Sequence, residues 1–92
     1  MKNEIEHRNK EELEQFELDS LRMVGTMKNE DDQWGIIKAP EGSVHRIKVG
    51  NYLGRSTGKI LNVYEDRIEL REIVRNSQGR WEERQAAIAL EE

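Results

Sequence analysis

The chain has 92 residues, no cysteine and a formal net charge of −4 at pH 7. This length allows one small domain, and the lack of cysteine excludes disulfides, thiolate metal sites and a cysteine nucleophile. No apolar run approaches the roughly 20 residues that a transmembrane helix needs.

The N-terminal segment is predicted to be a flexible acidic tail over residues 1–17, followed by a folded domain over residues 18–92. Residues 1–19 hold seven acidic and three basic residues, so the whole net charge lies there. A neutral body with an acidic tail does not attract polyanions over long range, which argues against nucleic acid as the partner. A helical turn is possible near Glu11–Phe16, and Phe16 and Leu18 are expected to dock on the folded domain.

From Leu21 onward, short runs of β-forming residues are bounded by Gly, Pro, Asn or Asp. Apolar and polar residues alternate along them, which is typical of antiparallel strands with one solvated side. The pattern predicts an all-β fold, a small β-sandwich of about seven short antiparallel strands or a small barrel. The predicted strands are Leu21–Met27, Gln33–Lys38, Val44–Val49, Tyr52–Leu53, Lys59–Tyr64, Arg67–Val74 and Trp81–Leu90.

Three glycines, Gly50, Gly54 and Gly58, lie within nine residues of one another. At least one of them is expected to have a positive φ, because such spacing indicates sharp changes of backbone direction. The segment is not a phosphate-binding loop of the Walker type, since Leu53 and Ile60 occupy positions where that motif needs Gly and Ser or Thr.

No residues are predicted to be catalytic, to bind a cofactor or to hold a metal. His45 shares a strand face with Ile47, and nothing in the sequence marks a nucleophile positioned beside it. The pair Asp31-Asp32 lacks the further oxygen ligands of a calcium loop. These residues are therefore interpreted as structural or solvated groups.

Partner-binding residues are predicted in two groups. In the first strand, Arg22, Val24 and Thr26 would point outward if Leu21 and Met23 face the core, and an edge strand can bind an added strand. The second group is a basic cluster around the Gly-rich segment, which would attract an acidic partner. Its members are Arg46, Lys48, Arg55 and Lys59.

Three blocks of the sequence resemble the PilP family of type IV pilus pilot lipoproteins. They are residues 18–26, residues 44–54 with 58–60, and residues 68–74 with 79–84 and Leu90, in the family's order. The specific part is Val49-Gly50-Asn51-Tyr52-Leu53-Gly54. The resemblance implies a periplasmic β-sandwich of about seven strands, similar to the homology region of GspC from type II secretion.

The resemblance also implies a non-enzymatic adaptor, anchored to the inner membrane by N-terminal lipidation. In this family the N-terminal region binds the PilN–PilO pair, and the folded domain meets the N-terminal periplasmic domains of the secretin PilQ. We expect the signal peptide, the lipid-bearing cysteine and most of that N-terminal region to lie outside this chain. We therefore predict no membrane contact by this chain except through that anchor.

The alternative hypothesis is a small SH3-like barrel that binds nucleic acid. The strand pair from Val49-Gly50 to Gly58-Lys59-Ile60 would fit such a barrel. The neutral body, the pI of about 5.3 and the few aromatic residues argue against it. Binding to DNA or RNA that depends steeply on salt would favour this alternative over the adaptor.

Overall fold

The computed structural model describes Glu4, Ile5 and the range Arg8–Glu91. Residues 1–3, 6–7 and 92, and with them part of the predicted tail, lie outside this description. The described chain forms two antiparallel sheets, as the sandwich prediction requires. Its strands are β1 (Arg22–Lys28), β2 (Gln33–Lys38), β3 (Val44–Ile47), β4 (Tyr52–Leu53), β5 (Gly58–Val63), β6 (Arg67–Arg75) and β7 (Trp81–Ala89).

The two sheets follow the chain in order. The three-stranded sheet has the order β1-β2-β3 and the four-stranded sheet has the order β4-β5-β6-β7, so each strand pairs with its neighbour in sequence. Turn residues set the boundaries: the Gly42 N–H donates to the Ala39 carbonyl at 2.9 Å after Pro40. Every predicted strand is present with its ends within two residues of the prediction.

The core lies between the sheets and is built by the predicted alternation. Ile37 of β2 and Ile60 and Ile68 of the opposite sheet are fully buried. Gly35 allows the sheets to approach, because a Cβ at this position would lie 2.8 Å from Ile68 Cδ1 and 2.9 Å from Ile47 Cδ1. Any larger residue at position 35 would therefore separate the two layers.

The first and last strands meet at one side of the sandwich. Met23 and Leu90 form an isolated parallel bridge, and the Glu91 N–H donates to the Met23 carbonyl at 2.9 Å. Within Glu4, Ile5 and Arg8–Glu91, this bridge is the only strand-type pairing between the two sheets. The layers therefore form a sandwich, and the barrel of the alternative hypothesis is wrong.

The N-terminal strap, by which we mean Glu4, Ile5 and Arg8–Glu17, packs on the sandwich. A 3-10 turn at Glu12–Gln15 places Leu13 in the core with 4% of its surface exposed. Phe16 and Leu18 pack against the same core, as predicted. The strap thus contacts the core of the sandwich at Leu13, before the predicted docking residues. The flexibility of residues 1–17 stays a prediction.

The strap covers the free edge of β4. The Tyr52 N–H donates to Glu11 Oε1 at 3.2 Å, and the Gly54 N–H donates to the Leu13 carbonyl at 3.1 Å. Backbone donors of an edge strand need partners when they are not in water. The strap therefore satisfies one edge of the four-stranded sheet, and β7 is the strand at its other edge.

The Gly-rich segment turns as predicted. Gly50 has φ +97° and Gly54 has φ +78°, which lie in the left-handed region that glycine adopts without steric cost. In the part of the chain that the structure describes, no helix is long and apolar enough to cross a membrane.

Candidate functional site

The solvent-facing side of the three-stranded sheet, here called the three-stranded face, is the strongest candidate for a binding surface. In β2 the buried Gly35 and Ile37 alternate with outward-facing residues, and β3 continues the same alternation. Cross-strand partners share a face, and the register pairs Ile36 with Arg46. The outward residues of these two strands are Trp34, Ile36, Lys38, Val44 and Arg46.

The outward residues of β1 follow the prediction only as far as a β-bulge. Arg22 and Val24 are exposed and flank the fully buried Met23. The register then shifts between Met23 and Gly25, and a bulge moves later side chains to the other face. Thr26, predicted to point outward, is consequently half-buried, while Met27 is 46% exposed and takes its place on the surface.

The strands of this face carry cations and no acidic residue. Arg22, Lys38 and Arg46 face outward, and β1, β2 and β3 contain no Asp or Glu, although Asp31 and Asp32 lie at the rim beside Lys48. Arg22 is paired with Glu91, beyond the end of β7. The other cations face solvent beside exposed apolar side chains, so the surface suits a partner with acidic and apolar groups.

Trp34 joins two of the predicted binding residues. The Arg46 Cζ atom lies 5.2 Å from the centroid of the Trp34 ring, and the Lys48 Nζ atom lies 4.9 Å from it. Such cation–π contacts contribute about 0.5–1 kcal/mol at exposed sites. Trp34 therefore holds both cations on the three-stranded face, a role that its position near a strand start did not reveal.

The other two residues of the predicted basic cluster lie elsewhere. Arg55 donates from Nε to the Gln15 carbonyl at 3.0 Å and lies 3.1 Å from Glu17, so it holds the strap. Lys59 belongs to the four-stranded sheet, where its register partner in β6 is Arg71. The structure thus divides the predicted cluster, because the chain crosses from one sheet to the other between β3 and β4.

Glu41, Ser43 and His45 are arranged like part of a catalytic triad. The Ser43 hydroxyl lies 2.7 Å from His45 Nε2 and 2.5 Å from Glu41 Oε1, and the Ser43 N–H also donates to Glu41. These bonds from Ser43 hold the pKa of the Glu41 carboxyl below its ordinary value. An ionised carboxylate only accepts hydrogen bonds, so the hydroxyl proton goes to Glu41, and His45 donates to Ser43. This network closes the β2–β3 turn and does not activate a nucleophile.

Among Glu4, Ile5 and Arg8–Glu91, no three His, Asp or Glu side chains are grouped closely enough to hold an ion.

The sequence matches the family described as "Pilus assembly protein, PilP" over residues 2–90. It is 40% identical over 87 residues to the type IV pilus inner membrane component PilP of Pseudomonas aeruginosa. That alignment covers 95% of this chain and 49% of the relative. The chain thus spans about half the length of the curated relative that it matches.

Solved structures agree with the sequence match. A domain of the type IV pilus biogenesis lipoprotein PilP from Pseudomonas aeruginosa superposes with a TM-score of 0.82 at 40% identity, covering 92% of this chain and 97% of that one. A domain of the Neisseria meningitidis PilP pilot protein gives a TM-score of 0.72 at 42% identity, covering 90% and 73%.

Proposed function

This chain belongs to the PilP family of pilus assembly proteins, and we propose that it is a non-enzymatic periplasmic adaptor in type IV pilus biogenesis. The adaptor links the inner-membrane PilN–PilO pair to the outer-membrane secretin PilQ. The Pseudomonas aeruginosa relatives, an inner membrane component and a lipoprotein, support a protein held at the inner membrane by an N-terminal lipid. The PilN–PilO contact is assigned mainly to the region N-terminal to this domain.

The three-stranded face carries this proposal, and we assign the secretin contact to it. Val24 is 42% exposed and lies with Arg22 on β1, while Arg46 and Lys48 are held on Trp34. Exposed apolar groups beside cations are typical of a contact with a complementary protein. Of the residues predicted from the sequence, these four share one surface.

The edge of β1 adds backbone groups to the same surface. β1 is the terminal strand of its sheet, and the bridge to β7 engages it at Met23. The part of β1 beyond the bulge, from Gly25 to Lys28, is at the edge and next to the exposed Met27. A strand of the secretin domain can extend the sheet there, with Thr26 near the contact through its backbone.

A pair of matched variants tests the assignment. Val24 and Leu61 are 42% and 44% exposed, and each lies at a bulge, on β1 and β5 respectively. Val24→Glu should weaken binding to the N-terminal domains of the cognate PilQ by about tenfold or more, since it places an acid in an apolar contact. Leu61→Glu should leave the affinity unchanged. Equal losses, or NMR shifts confined to β6 and β7, would place the secretin contact elsewhere.

A basic surface could also attract nucleic acid, but we expect this protein not to bind DNA or RNA. The net charge of −4 repels polyanions at long range. Fluorescence anisotropy with single- and double-stranded DNA and RNA in about 0.15 M salt should show no binding. Affinity that falls steeply with added salt would support the nucleic-acid alternative.

A further inference from the structure

Two hydrogen bonds at the ends of the β6–β7 hairpin show which residues of β7 have backbone groups that point away from β6. The Leu90 N–H donates to the Asp66 carbonyl at 2.8 Å, and the Asn76 N–H donates to the Arg80 carbonyl at 2.9 Å. Hydrogen-bonded pairs alternate along an antiparallel ladder, and the register runs without a bulge. Even-numbered residues therefore bond to β6. The odd-numbered residues, whose backbone groups point outward, are Trp81, Glu83, Gln85, Ala87 and Ala89.

These outward groups form the longest free edge of the described chain. β7 has nine residues and is the terminal strand of its sheet. In the described part of the chain, β1 engages this edge only at its C-terminal end, through the parallel bridge of Met23 with Leu90 and the bond from the Glu91 N–H to the Met23 carbonyl. The outward groups of Trp81, Glu83, Gln85 and Ala87 face no further strand. A strand added here would thus gain up to four residues' worth of ladder.

Cavities flank the edge on both sides of the sheet. One of about 360 Å³ lies between Ile88 and the chain at Leu18 and Leu21, on the side of the core. Another of about 450 Å³ lies on the solvent side, where Leu61 stands beside Ala87. Side chains of a strand alternate between the two faces. Successive residues of an added strand would therefore find open space on each side of this half of β7. The space is more apolar on the solvent side, beside Leu61 and Ala87, whereas charged residues such as Glu72 and Arg84 also line the core side.

The two halves of β7 differ in charge. Glu82 and Glu83 are exposed in the first half, whereas Ala86–Ala89 is uncharged and apolar. Arg84, between the halves, donates from Nε to Glu72 at 2.9 Å, so its charge is compensated. Glu83 lies 3.4 Å from Arg71 Nη1. Glu82 is thus the acid available to a new partner, with Glu83 available in part.

We propose that the β7 edge is a second protein-binding site, which takes an extended segment antiparallel to β7. The segment has apolar residues in its N-terminal half, opposite Ala86–Ala89, and basic residues in its C-terminal half, opposite Glu82 and Glu83. The free ladder, the flanking cavities and the charge pattern support the site, and an antiparallel segment continues the antiparallel pairing of β6 with β7. The site lies in the four-stranded sheet and is independent of the three-stranded face proposed for the secretin.

The probe is an eight-residue synthetic peptide with Val and Thr in its first half and Lys and Arg in its second. Binding should slow amide exchange at the odd-numbered residues 81–89, whose N–H groups point outward. It should leave the even-numbered residues unchanged, since these N–H groups already bond to β6. Fluorescence of Trp81 in a Trp34→Phe background should also change, while Trp34 in a Trp81→Phe background should not.

Two control peptides separate strand addition from general attraction. One has its basic residues replaced by Glu, and the other is N-methylated at alternate positions so that it cannot form a ladder. Both should bind about tenfold more weakly or worse. Equal affinity for either control, slowed exchange at the even-numbered amides alone, or no binding of the probe at millimolar concentration would overturn the proposal.

Variants complete the test. Gln85→Pro removes an outward N–H and should abolish peptide binding while PilQ binding persists. The double variant Glu82→Lys and Glu83→Lys leaves the backbone intact and should weaken peptide binding about tenfold. It therefore tests the site even if the proline variant does not fold. Concentration-dependent dimers with slowed exchange at residues 81–89 before any peptide is added would show that a second copy occupies the edge. That result would overturn the assignment to a partner segment.

Discussion

Glu4 and Arg71 form a two-point ion pair that ties the strap to β6 across 67 positions of sequence. Arg71 Nη1 lies 3.0 Å from Glu4 Oε1, and Nη2 lies 2.7 Å from Oε2. The Tyr52 hydroxyl donates to the same carboxylate at 2.8 Å, and the Arg8 guanidinium stacks 3.5 Å from the centroid of the Tyr52 ring. The hydrogen bonds from Arg71, and then from Tyr52, lower the pKa of Glu4 to about 2.

This pKa predicts how the strap responds to pH. Because the pKa of folded Glu4 lies below its ordinary value of 4.5, the pair stabilises the protein above about pH 5 and is lost as the pH falls towards 2. Glu4→Gln should lower the free energy of unfolding at pH 7 by about 1–2 kcal/mol, a figure reduced for the 29% exposure of the Glu4 side chain. The difference from the native protein should vanish near pH 2.

Urea denaturation at pH 7, 4 and 2.5 measures this difference. Glu65→Gln is the control, since Glu65 lies exposed in the β5–β6 turn. Its effect on the free energy of unfolding should be small at every pH. A Glu4→Gln effect that is the same at pH 7 and pH 2.5 would contradict the proposed role of the ion pair.

Leu13 should contribute more to stability than Phe16, which is the residue that the sequence predicts to dock on the folded domain. Leu13→Ala should lower the free energy of unfolding by about 2–4 kcal/mol, because the side chain is 4% exposed within the core. Phe16 is half-buried, and Phe16→Ala should cost about 1–2 kcal/mol. Heteronuclear relaxation should also show residues 8–17 as rigid as the strands. High mobility there, with Leu13→Ala neutral, would confirm the flexible tail predicted from the sequence.

The strands were predictable because each carries a local signal. Ile37 and Ile47 alternate with polar residues, and Pro40 and Gly42 mark the turn between their strands. The strap was not predictable in the same way. Glu4 and Arg71 are 67 positions apart, and no period in the sequence connects residues so far apart. Acidic composition alone favours a solvated tail.

The binding surface was predictable in part, for two structural reasons. Val24 is exposed as the alternation from Met23 predicts, but the bulge at Val24 reversed the assignment of Thr26. Nearness in sequence placed Arg46 and Lys59 in one cluster, whereas the chain puts them in different sheets. Bulges and sheet assignment depend on long-range pairing, which local patterns do not encode.

Two glycines of the central segment should resist substitution. A Cβ at Gly58 would lie 2.5 Å from the Leu53 carbonyl oxygen, so Gly58→Ala must move backbone and should cost about 1–3 kcal/mol. Gly54→Ala should cost about 1–2 kcal/mol, because Gly54 has φ +78° and its Cβ would meet Leu18 Cβ at 3.1 Å. Thermal unfolding measures both effects.

The control for the glycine series lies in β1. A Cβ at Gly25 would lie 3.9 Å from Ile36 Cγ1, an ordinary contact. Gly25→Ala should therefore be neutral or stabilise by a few tenths of a kcal/mol, through lower entropy of the unfolded chain. A larger loss of stability from Gly25→Ala than from Gly58→Ala would show that the distance from the added Cβ to neighbouring atoms does not determine the cost of these substitutions.

The cations on Trp34 predict a salt-dependent association rate. Arg46→Glu with Lys48→Glu should slow association with the N-terminal domains of PilQ about tenfold in roughly 20 mM salt, and less than about twofold in 0.5 M salt. The dissociation rate should change little, since exposed charges steer an encounter more than they hold a complex. Stopped-flow fluorescence or biolayer interferometry across a salt series separates the two rates.

A matched charge reversal shows whether this steering is local to the three-stranded face. Arg75 lies over Trp81, with Cζ 4.7 Å from the ring centroid, much as Arg46 lies over Trp34. Arg75→Glu with Arg80→Glu changes the net charge by the same amount at the far end of the β6–β7 hairpin. Because screened fields act within about a Debye length, this variant should associate nearly as fast as the native protein. Equal slowing by both variants would mean that net charge, and not this face, guides the secretin.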